Sequence, residues 1–494
     1  MAGIGFELRK MLSRDSYAGV LGAYGYAGLV SSGPWVFSIA GVLAIGVLAG
    51  RAVPSAARVT QFLISVTYLM AGSVLLTGPL QLMFSRFVAD RIYEERRDRI
   101  LPNLLGALAL TTTGSGALAS LVVFRAFPGP FTCQALLVAN FVVLCDAWLL
   151  TVLLSGIKAH RTVVGLYLAA YVASVGSAFA LRHYSLEGLL AGFLVGQAGA
   201  MFAALGLSIH AFPGERQARF EFLDPAQSHY DLAAAGAVFY AGTWADKALF
   251  WMNPSTSARV LGPLRSSVIY DLPIFLAYLT VIPAMAILFM WLEADFGDRC
   301  QSFYAAVRNG APLNRIERLK DGMVSSVRQG LLAIVKIQAV TLALVFVTGP
   351  TVLRAASISP LYLRLLYVDA VGVALQVQFL AALNVLFYLD ERKAALALTA
   401  LFACANVALT LVSQRLGPDW YGFGFAGAAL IAAASAVPLL SHKLARLECA
   451  TFMLQPLWPD ENRGRLSREI AAAVARAVQH PLDLITSKHS GGLT

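Results

Sequence analysis

Charged residues and cysteines are scarce in this chain of 494 residues. Only 13% of its residues are charged, about half the share that is usual in a soluble domain, and 58% are hydrophobic. A soluble protein of this composition could not cover its surface with polar groups, and a disordered chain needs the opposite balance. The cysteines are few and scattered, which excludes a disulfide scaffold. The composition therefore indicates a polytopic membrane protein.

Motifs that carry catalysis or bind cofactors are also missing from the sequence. There is no G-x-x-x-x-G-K-[ST] phosphate loop, and no serine lies in a nucleophile elbow. The cysteines and histidines show no spacing that is typical of metal ligands. We therefore predict no catalytic residue, no metal and no cofactor. The chain is expected to be a non-enzymatic conduit whose energy comes from an ion gradient or from polymer synthesis.

Long apolar runs account for most of the sequence, which has a mean hydropathy of +0.68. A helix needs about 20 apolar residues to cross a bilayer. Gly33-Pro34 and Gly78-Pro79 are expected to interrupt the first two runs, so that the freed backbone groups must find partners inside the bundle. The sequence predicts an all-α membrane protein with about twelve spans, at 20–49, 59–85, 101–124, 132–157, 162–181, 188–210, 230–252, 268–292, 330–353, 362–388, 394–414 and 422–442.

The distribution of Lys and Arg predicts how these spans are oriented. Roughly three times as many of these residues fall in one alternate set of connections as in the other. The positive-inside rule then places both termini in the cytoplasm. The net charge of +10 follows from this topology, so it does not indicate binding to nucleic acid.

The spans divide into two predicted halves of six. Tyr26-Ala27-Gly28 in the first span matches Tyr240-Ala241-Gly242 in the seventh, and the two long connections occupy equivalent positions. Parallel halves with a substrate path between them are a known plan for transporters. The predicted organisation is a cytoplasmic amphipathic leader at 1–18, halves at 19–215 and 216–447, an amphipathic cytoplasmic loop at 293–329 and a cytoplasmic tail at 448–494 with a short helix.

Asp146, Asp246, Lys247 and Asp369 are ionisable residues that lie deep inside predicted spans. Charges at membrane depth are costly and usually face protein or a water-filled interior. One interpretation is that these residues form ion pairs that hold helices together. The other is that they line a polar central cavity and bind a cation or a hydroxyl-rich substrate. Neighbours on a helix point about 100° apart, so Asp246 and Lys247 need not pair with each other.

Aromatic residues near these positions are candidate contacts for sugar rings. They are Tyr26, Trp35, Tyr240 and Trp244. Tyrosine and tryptophan are also enriched where spans meet the membrane surface, so a purely interfacial role is the alternative.

The N-terminal run MAGIGFELRKML, the following DSYAGVLGAYGYAGLVSSGPWVFSIAG and the later SRFVADRIYEER resemble the PelG family of bacterial Pel exopolysaccharide systems. That family resembles the polysaccharide-transporter branch of the MOP flippase superfamily, in which two six-helix halves enclose a central cavity. The resemblance implies export of an amino-sugar-rich polymer for a biofilm matrix. It also implies partnership with the cytoplasmic glycosyltransferase PelF and with PelD and PelE, of which PelD senses cyclic di-GMP. It supplies no motif of transport residues.

The sequence thus predicts a polysaccharide transporter that contacts its glycan and the membrane lipid. Two alternatives from other classes remain. A scaffold would assemble the synthase complex without translocation, and would tolerate neutral substitutions at Asp246 and Asp369. A membrane-embedded glycan polymerase would need a catalytic site, for which the short predicted outer loops leave little room. A small-molecule antiporter with the same fold is a third possibility.

Overall fold

The computed structural model describes residues 17–50, 56–156, 159–225, 228–355 and 359–452. The predicted leader, the C-terminal tail and its helix fall largely or wholly outside these ranges. The first part of the described chain forms six helices: α1 (Tyr17–Gly50), α2 (Ala56–Tyr93), α3 (Ile100–Ala126), α4 (Phe131–Gly156), α5 (His160–Ala180) and α6 (Ser185–Ala211).

The second part adds nine helices and a two-stranded antiparallel hairpin. Its elements are α7 (Tyr230–Met252), β1 (Ala258–Leu261), β2 (Leu264–Ser266), α8 (Val268–Leu279), α9 (Ile282–Trp291), α10 (Gly297–Arg308), α11 (Leu313–Ala355), α12 (Leu363–Tyr388), α13 (Arg392–Leu416), α14 (Phe423–Ala445) and α15 (Leu447–Phe452). A π-helical turn at Leu292–Phe296 joins α9 to α10.

Every predicted span overlaps a helix, and the all-helical fold class is confirmed. By length and composition, nine helices of the described ranges are able to cross a membrane, or ten if the bent pair that begins with α8 is one span. Helix α7 is not among them because Asp246 and Lys247 lower its hydropathy. Twelve crossings with both termini in the cytoplasm stay a prediction.

The expected interruptions of the first two spans are wrong, because α1 continues through Gly33-Pro34 and α2 through Gly78-Pro79. Neighbouring helices make a proline tolerable within a membrane helix. The break lies instead in the eighth span, where α8 and the helical segment that starts at Ile282 meet at 43°. Pro283, in the first turn of α9, is compatible with a new helix start there.

Helix packing in the first six helices is repeated in the second part of the chain. The pairs α1–α5, α2–α4, α3–α4, α4–α6 and α5–α6 are in contact. If α8 and α9 are taken as one span, the equivalent pairs are α7–α13, α8–α12, α11–α12, α12–α14 and α13–α14, and these are in contact too. We call α1–α6 the N-half and α7–α14 the C-half. The exact domain boundaries stay a prediction.

Each half has its own hydrophobic core. One large cluster of buried side chains lies within 250–447, whereas two clusters of the N-half lie within 45–222. A smaller cluster is shared between the halves and consists of Ala27, Val30, Val164, Ala286 and Met290. The main helix contacts between the halves are α2–α7 and α1–α9. At the first, a Cβ on Gly236 would lie 2.5 Å from the carbonyl oxygen of Gly78, so the two backbones meet directly. The halves therefore touch chiefly along two helix pairs, and most of each core lies within one half.

The bundle has two distinguishable ends. The C-terminus of α2 and the N-terminus of α7 lie together at one end, where Asp90 is 3.3 Å from His229. We call it the arginine-rich end, and it is the end that is predicted to be cytoplasmic; its arginines at and after the C-terminus of α2 are Arg86, Arg91, Arg96, Arg97 and Arg99. The opposite, hairpin end carries β1 and β2, whose register pairs Ala258 with Ser266. At the arginine-rich end α10 and α11 flank Gly310, and Lys320 of α11 bonds Glu448 at 2.8 Å.

Candidate functional site

Asp246 and Lys247 form an ion pair inside the C-half. The Lys247 ammonium donates to both carboxylate oxygens of Asp246, at 3.2 Å and 3.1 Å. Asp246 has no exposed surface, and Lys247 is also buried. Although the two side chains leave the helix in different directions, the long lysine side chain folds back onto its neighbour. The pair therefore forms within α7 itself.

Two further helices complete the hydrogen bonding of Asp246. The Tyr270 hydroxyl of α8 donates to Asp246 Oδ2 at 2.7 Å, and the Asn406 amide of α13 donates to Oδ1 at 3.3 Å. Asn406 also donates to the carbonyl of Gly242 at 2.8 Å. A buried charge is tolerated when it is both paired and hydrogen-bonded, and these donors meet that requirement. Asp246 consequently ties three helices of the C-half together.

Lys247 lies against aromatic rings as well as the carboxylate. Its ammonium is 4.9 Å from the centre of the Tyr278 ring and 5.4 Å from that of Phe425. It also donates to the carbonyl of Thr243 at 3.0 Å. Cation–π contacts strengthen when the cation is removed from water. The lysine is therefore held by its neighbours on three helices and not only by Asp246.

Asp369 of α12 is fully buried, and neither of its carboxylate oxygens has a hydrogen-bond partner among the described residues. It lies close enough to Asp246 and Lys247 to interact with both electrostatically. A Cβ built on Gly422 would come within 2.7 Å of Asp369 Oδ1, so this glycine leaves room for the carboxyl group. A buried carboxyl group without a partner is an unusual and costly feature, and it marks this position as a candidate for function.

Asp146 lies elsewhere, in the N-half. Its Oδ2 accepts a hydrogen bond of 2.7 Å from the Thr112 hydroxyl of α3, and its Oδ1 has no hydrogen-bond partner among the described residues. The structure thus brings Asp246, Lys247 and Asp369 together within one half and leaves Asp146 apart from them.

The predicted sugar-contacting aromatics occupy three different surroundings. Tyr26 accepts a hydrogen bond of 2.7 Å from Arg161, whereas the hydroxyl of Tyr240 reaches across the halves to Gln81 at 3.1 Å. Trp244 lies 5.8 Å from the Lys247 ammonium, beside the polar cluster. The side chain of Trp35 falls outside the described residues.

A cavity of about 280 Å³ separates the halves near the arginine-rich end. It is lined by α1, α4 and α5 on one side and by α9, the following turn and α12 on the other. Its polar lining residues are Thr151, Ser155, His160 and Asn384, while the rest are mostly apolar. The buried charges of the C-half do not line this cavity.

An ion pair and a histidine–aspartate contact connect the halves at the same end. Arg86 of α2 lies 3.5 Å from Asp390, which follows α12. His229, just before α7, lies 3.3 Å from Asp90 of α2. These groups are partly exposed, and exposed ion pairs contribute about 0–1 kcal/mol each. These contacts therefore add little to the cost of separating the halves.

Sequence reasoning missed several members of the polar cluster. Besides Tyr270 and Asn406, they include Tyr278, whose hydroxyl donates to Gln376 Oε1 at 2.9 Å, and Thr410, which donates to Asn406 at 3.1 Å. All of them are polar residues within apolar runs, which was the signal that could have found them. In the described parts of the chain, no three His, Cys, Asp or Glu side chains come together as a metal site would require.

Several solved structures of MOP-superfamily and MATE transporters share this architecture. An outward-facing multidrug-resistance MATE transporter of the MOP superfamily superposes with a TM-score of 0.63 at 11% identity, over 86% of this chain and 96% of that one. A MOP superfamily transporter from Pyrococcus furiosus gives 0.58 at 14% identity, over 86% and 96%. A MATE structure in the bent conformation gives 0.60 at 13%, over 87% and 96%. The chain therefore has the fold of MOP transporters.

The particular family is given by the sequence. Residues 1–452 match the family described as "PelG: Putative exopolysaccharide Exporter (EPS-E)", and the chain belongs to it. A search of curated proteins found no match. The predicted resemblance is confirmed. The chain is a multi-pass membrane protein of an exopolysaccharide-exporter family, and its family and fold support transport of a polysaccharide across a membrane.

Proposed function

We propose that this chain carries a Pel-type, amino-sugar-rich exopolysaccharide across the bacterial inner membrane to the periplasm for a biofilm matrix. The match to an exopolysaccharide-exporter family over residues 1–452 carries this proposal. The transporter fold favours a conduit over an enzyme.

The transport path of the polysaccharide runs between the two halves. They meet chiefly through α2–α7 and α1–α9, and a cavity of about 280 Å³ lies between them at the arginine-rich end. Because each half has its own core, the halves can rock against each other without unfolding. Hydroxyl, imidazole and amide groups among apolar side chains suit a sugar, which has polar edges and apolar faces.

The buried charges respond to an ion or to the passing substrate. Asp369 carries this role because its carboxyl group has no hydrogen-bond partner among the described residues, and a change in its charge acts directly on Asp246 and Lys247. Asp246 in turn bonds groups of α7, α8 and α13. A change in charge at Asp369 would thereby alter helix packing throughout the C-half. Asp146 serves as a second, separate polar site in the N-half.

The partners are the cytoplasmic glycosyltransferase PelF together with PelD and PelE, with PelD sensing cyclic di-GMP. The arginine-rich end supplies the surface for a cytoplasmic synthase. It carries the largest connection of the described chain, formed by α10 and the first turns of α11. Export coupled to synthesis requires the growing polymer to reach the cavity from this end.

Secreted polymer from cells that carry Asp246→Asn or Asp369→Asn tests the proposal. Loss of secretion is expected from each, with normal membrane insertion and normal recovery of partners in a pulldown. Asp419→Asn is the matched control, because this aspartate is exposed at the hairpin end, where it pairs with Arg364 at 3.1 Å. It should secrete normally.

The other outcomes separate the alternatives. Normal secretion from both buried variants contradicts the role of these aspartates and makes them structural. Failure of secretion that always accompanies loss of the partner complex supports a scaffold. Normal secretion from cells that lack the chain altogether contradicts the export function itself.

A further inference from the structure

The hairpin formed by β1 and β2 is anchored firmly in the C-half. Asp271, in the first turn of α8, accepts hydrogen bonds from the Trp251 indole at 2.8 Å and from the Ser267 backbone N–H at 2.9 Å. Its second oxygen also accepts from the Ser266 hydroxyl at 3.2 Å. The start of the hairpin is braced as well, since Arg265 donates to the hydroxyl and the carbonyl of Ser257, both at 2.8 Å. The hairpin therefore moves together with the C-half.

The tip of the same hairpin lies on the N-half. The Gln61 amide of α2 donates to the carbonyl of Val260 at 3.2 Å, and the Tyr68 hydroxyl donates to the carbonyl of Arg265 at 2.9 Å. Leu261 packs against a hydrophobic cluster that otherwise consists of N-half residues. Gly262, with φ +51°, allows a tight turn beside the end of α3, where an added Cβ would lie 3.3 Å from the carbonyl oxygen of Ala126.

An aromatic contact between α2 and α7 supports the hairpin at its base. The Tyr68 ring of α2 stacks on the Trp251 ring of α7 with centres 4.4 Å apart. Tyr68 thus contacts both the hairpin and the helix that precedes it. Trp251 is in turn hydrogen-bonded to Asp271, so the base of the hairpin, α2 and α7 form one continuous set of contacts.

We propose that the hairpin is the gate of the transport path at the hairpin end, which the sequence places on the periplasmic side. This inference rests on the proposed export function. Because the base is fixed to one half and the tip to the other, the halves cannot separate at this end until the tip leaves α2. The cavity between the halves lies at the opposite end, and the gate is therefore closed in this structure. Export requires these contacts to break and form again.

A cross-link across the gate tests this directly. We would introduce Gln61→Cys and Val260→Cys together in the full chain, and treat cells with a short bismaleimide that joins neighbouring thiols. The matched control is Arg364→Cys with Asp419→Cys, which form an exposed ion pair within the C-half, outside the hairpin. Single-cysteine variants control for reaction with the native cysteines. The expected result is loss of secretion after cross-linking of the gate pair, with normal secretion after cross-linking of the control pair.

Two results would contradict the proposal that the hairpin is a gate. One is normal secretion from cells in which the gate pair is fully cross-linked, and the other is failure of the gate pair to cross-link at all. A second measurement does not depend on secretion. Leu261→Asp in the gate pair should lower the cross-linking rate roughly tenfold, because it removes the apolar contact of this partly buried leucine with the N-half. If the chain proves unnecessary for secretion, the export function fails, while this rate still shows whether the tip holds the halves together.

Discussion

The two halves share a pattern of helix contacts and differ in how they bury charge. In the N-half, Asp146 has one hydrogen bond, from Thr112. In the C-half, Asp246 has an ammonium, a phenol and an amide as partners, and Asp369 lies beside them. The comparison shows that the pattern of helix packing does not determine how charged side chains are buried. The same contacts between spans accommodate an almost isolated carboxylate or a connected polar cluster.

The largest effect is expected from removal of the cation of the C-half cluster. Lys247→Met leaves Asp246 in the interior without its ammonium, and breaking one partner of a buried ion pair costs about 3–5 kcal/mol. Thermal unfolding of the purified protein in detergent measures the loss. The double variant with Asp246→Leu should regain much of the stability, since it removes the orphaned charge. A single variant as stable as the natural chain would contradict the strong pairing described for this cluster.

A second prediction concerns the close helix packing that the two halves share. The equivalent pairs α5–α6 and α13–α14 both place a glycine against a neighbouring backbone. An added Cβ on Gly192 would lie 2.2 Å from the Ala178 nitrogen, and one on Gly424 would lie 2.5 Å from the Thr410 Cα. Gly192→Ala and Gly424→Ala should therefore each destabilise the protein by about 1–3 kcal/mol. Gly114→Ala, with open space around its Cβ, is the control in the same thermal measurement. Strongly unequal losses would show that the repeated packing is not energetically equivalent.

The smallest effect is expected at Asp146. In Asp146→Asn the amide oxygen still accepts the hydrogen bond from Thr112, and no buried cation loses its partner among the described contacts. Stability should change by less than about 1 kcal/mol. Asp246→Asn, measured beside it, should lose considerably more because Lys247 remains charged. Equal losses of stability from the two substitutions would contradict the difference in how the two halves bury charge.

The helices could be predicted from the sequence because each apolar run is long enough to form one. The effect of prolines could not, since Gly78-Pro79 stays helical through contacts with α7 that a sequence does not display, whereas the eighth span bends near Pro283. The hairpin could not be predicted either, because the sequence shows only a short connection between the seventh and eighth spans. Its structure depends on Asp271 and on contacts with α2, about 200 residues earlier in the chain.

The candidate site was predicted in part. Asp246, Lys247 and Asp369 were found because charged residues stand out in apolar runs. Their partners Tyr270 and Asn406 were not found, because they belong to helices whose packing brings them in from 24 and 160 residues away. The pairing of adjacent Asp246 and Lys247 depends on the side-chain rotamer of the lysine, which helical geometry alone does not fix.

The direct meeting of the Gly78 and Gly236 backbones has a mechanical consequence. Their point of contact is the natural fulcrum for any rocking of α2 against α7, because the two backbones meet there, with the Tyr240 ring packed against Gly78. From Gly78, α2 extends roughly 33 Å to Ala56 and roughly 22 Å to Tyr93, at 1.5 Å per residue. A rotation of about 10° would thus displace the two ends of this lever by roughly 6 Å and 4 Å. The longer arm gives the larger displacement to the end that carries the hairpin.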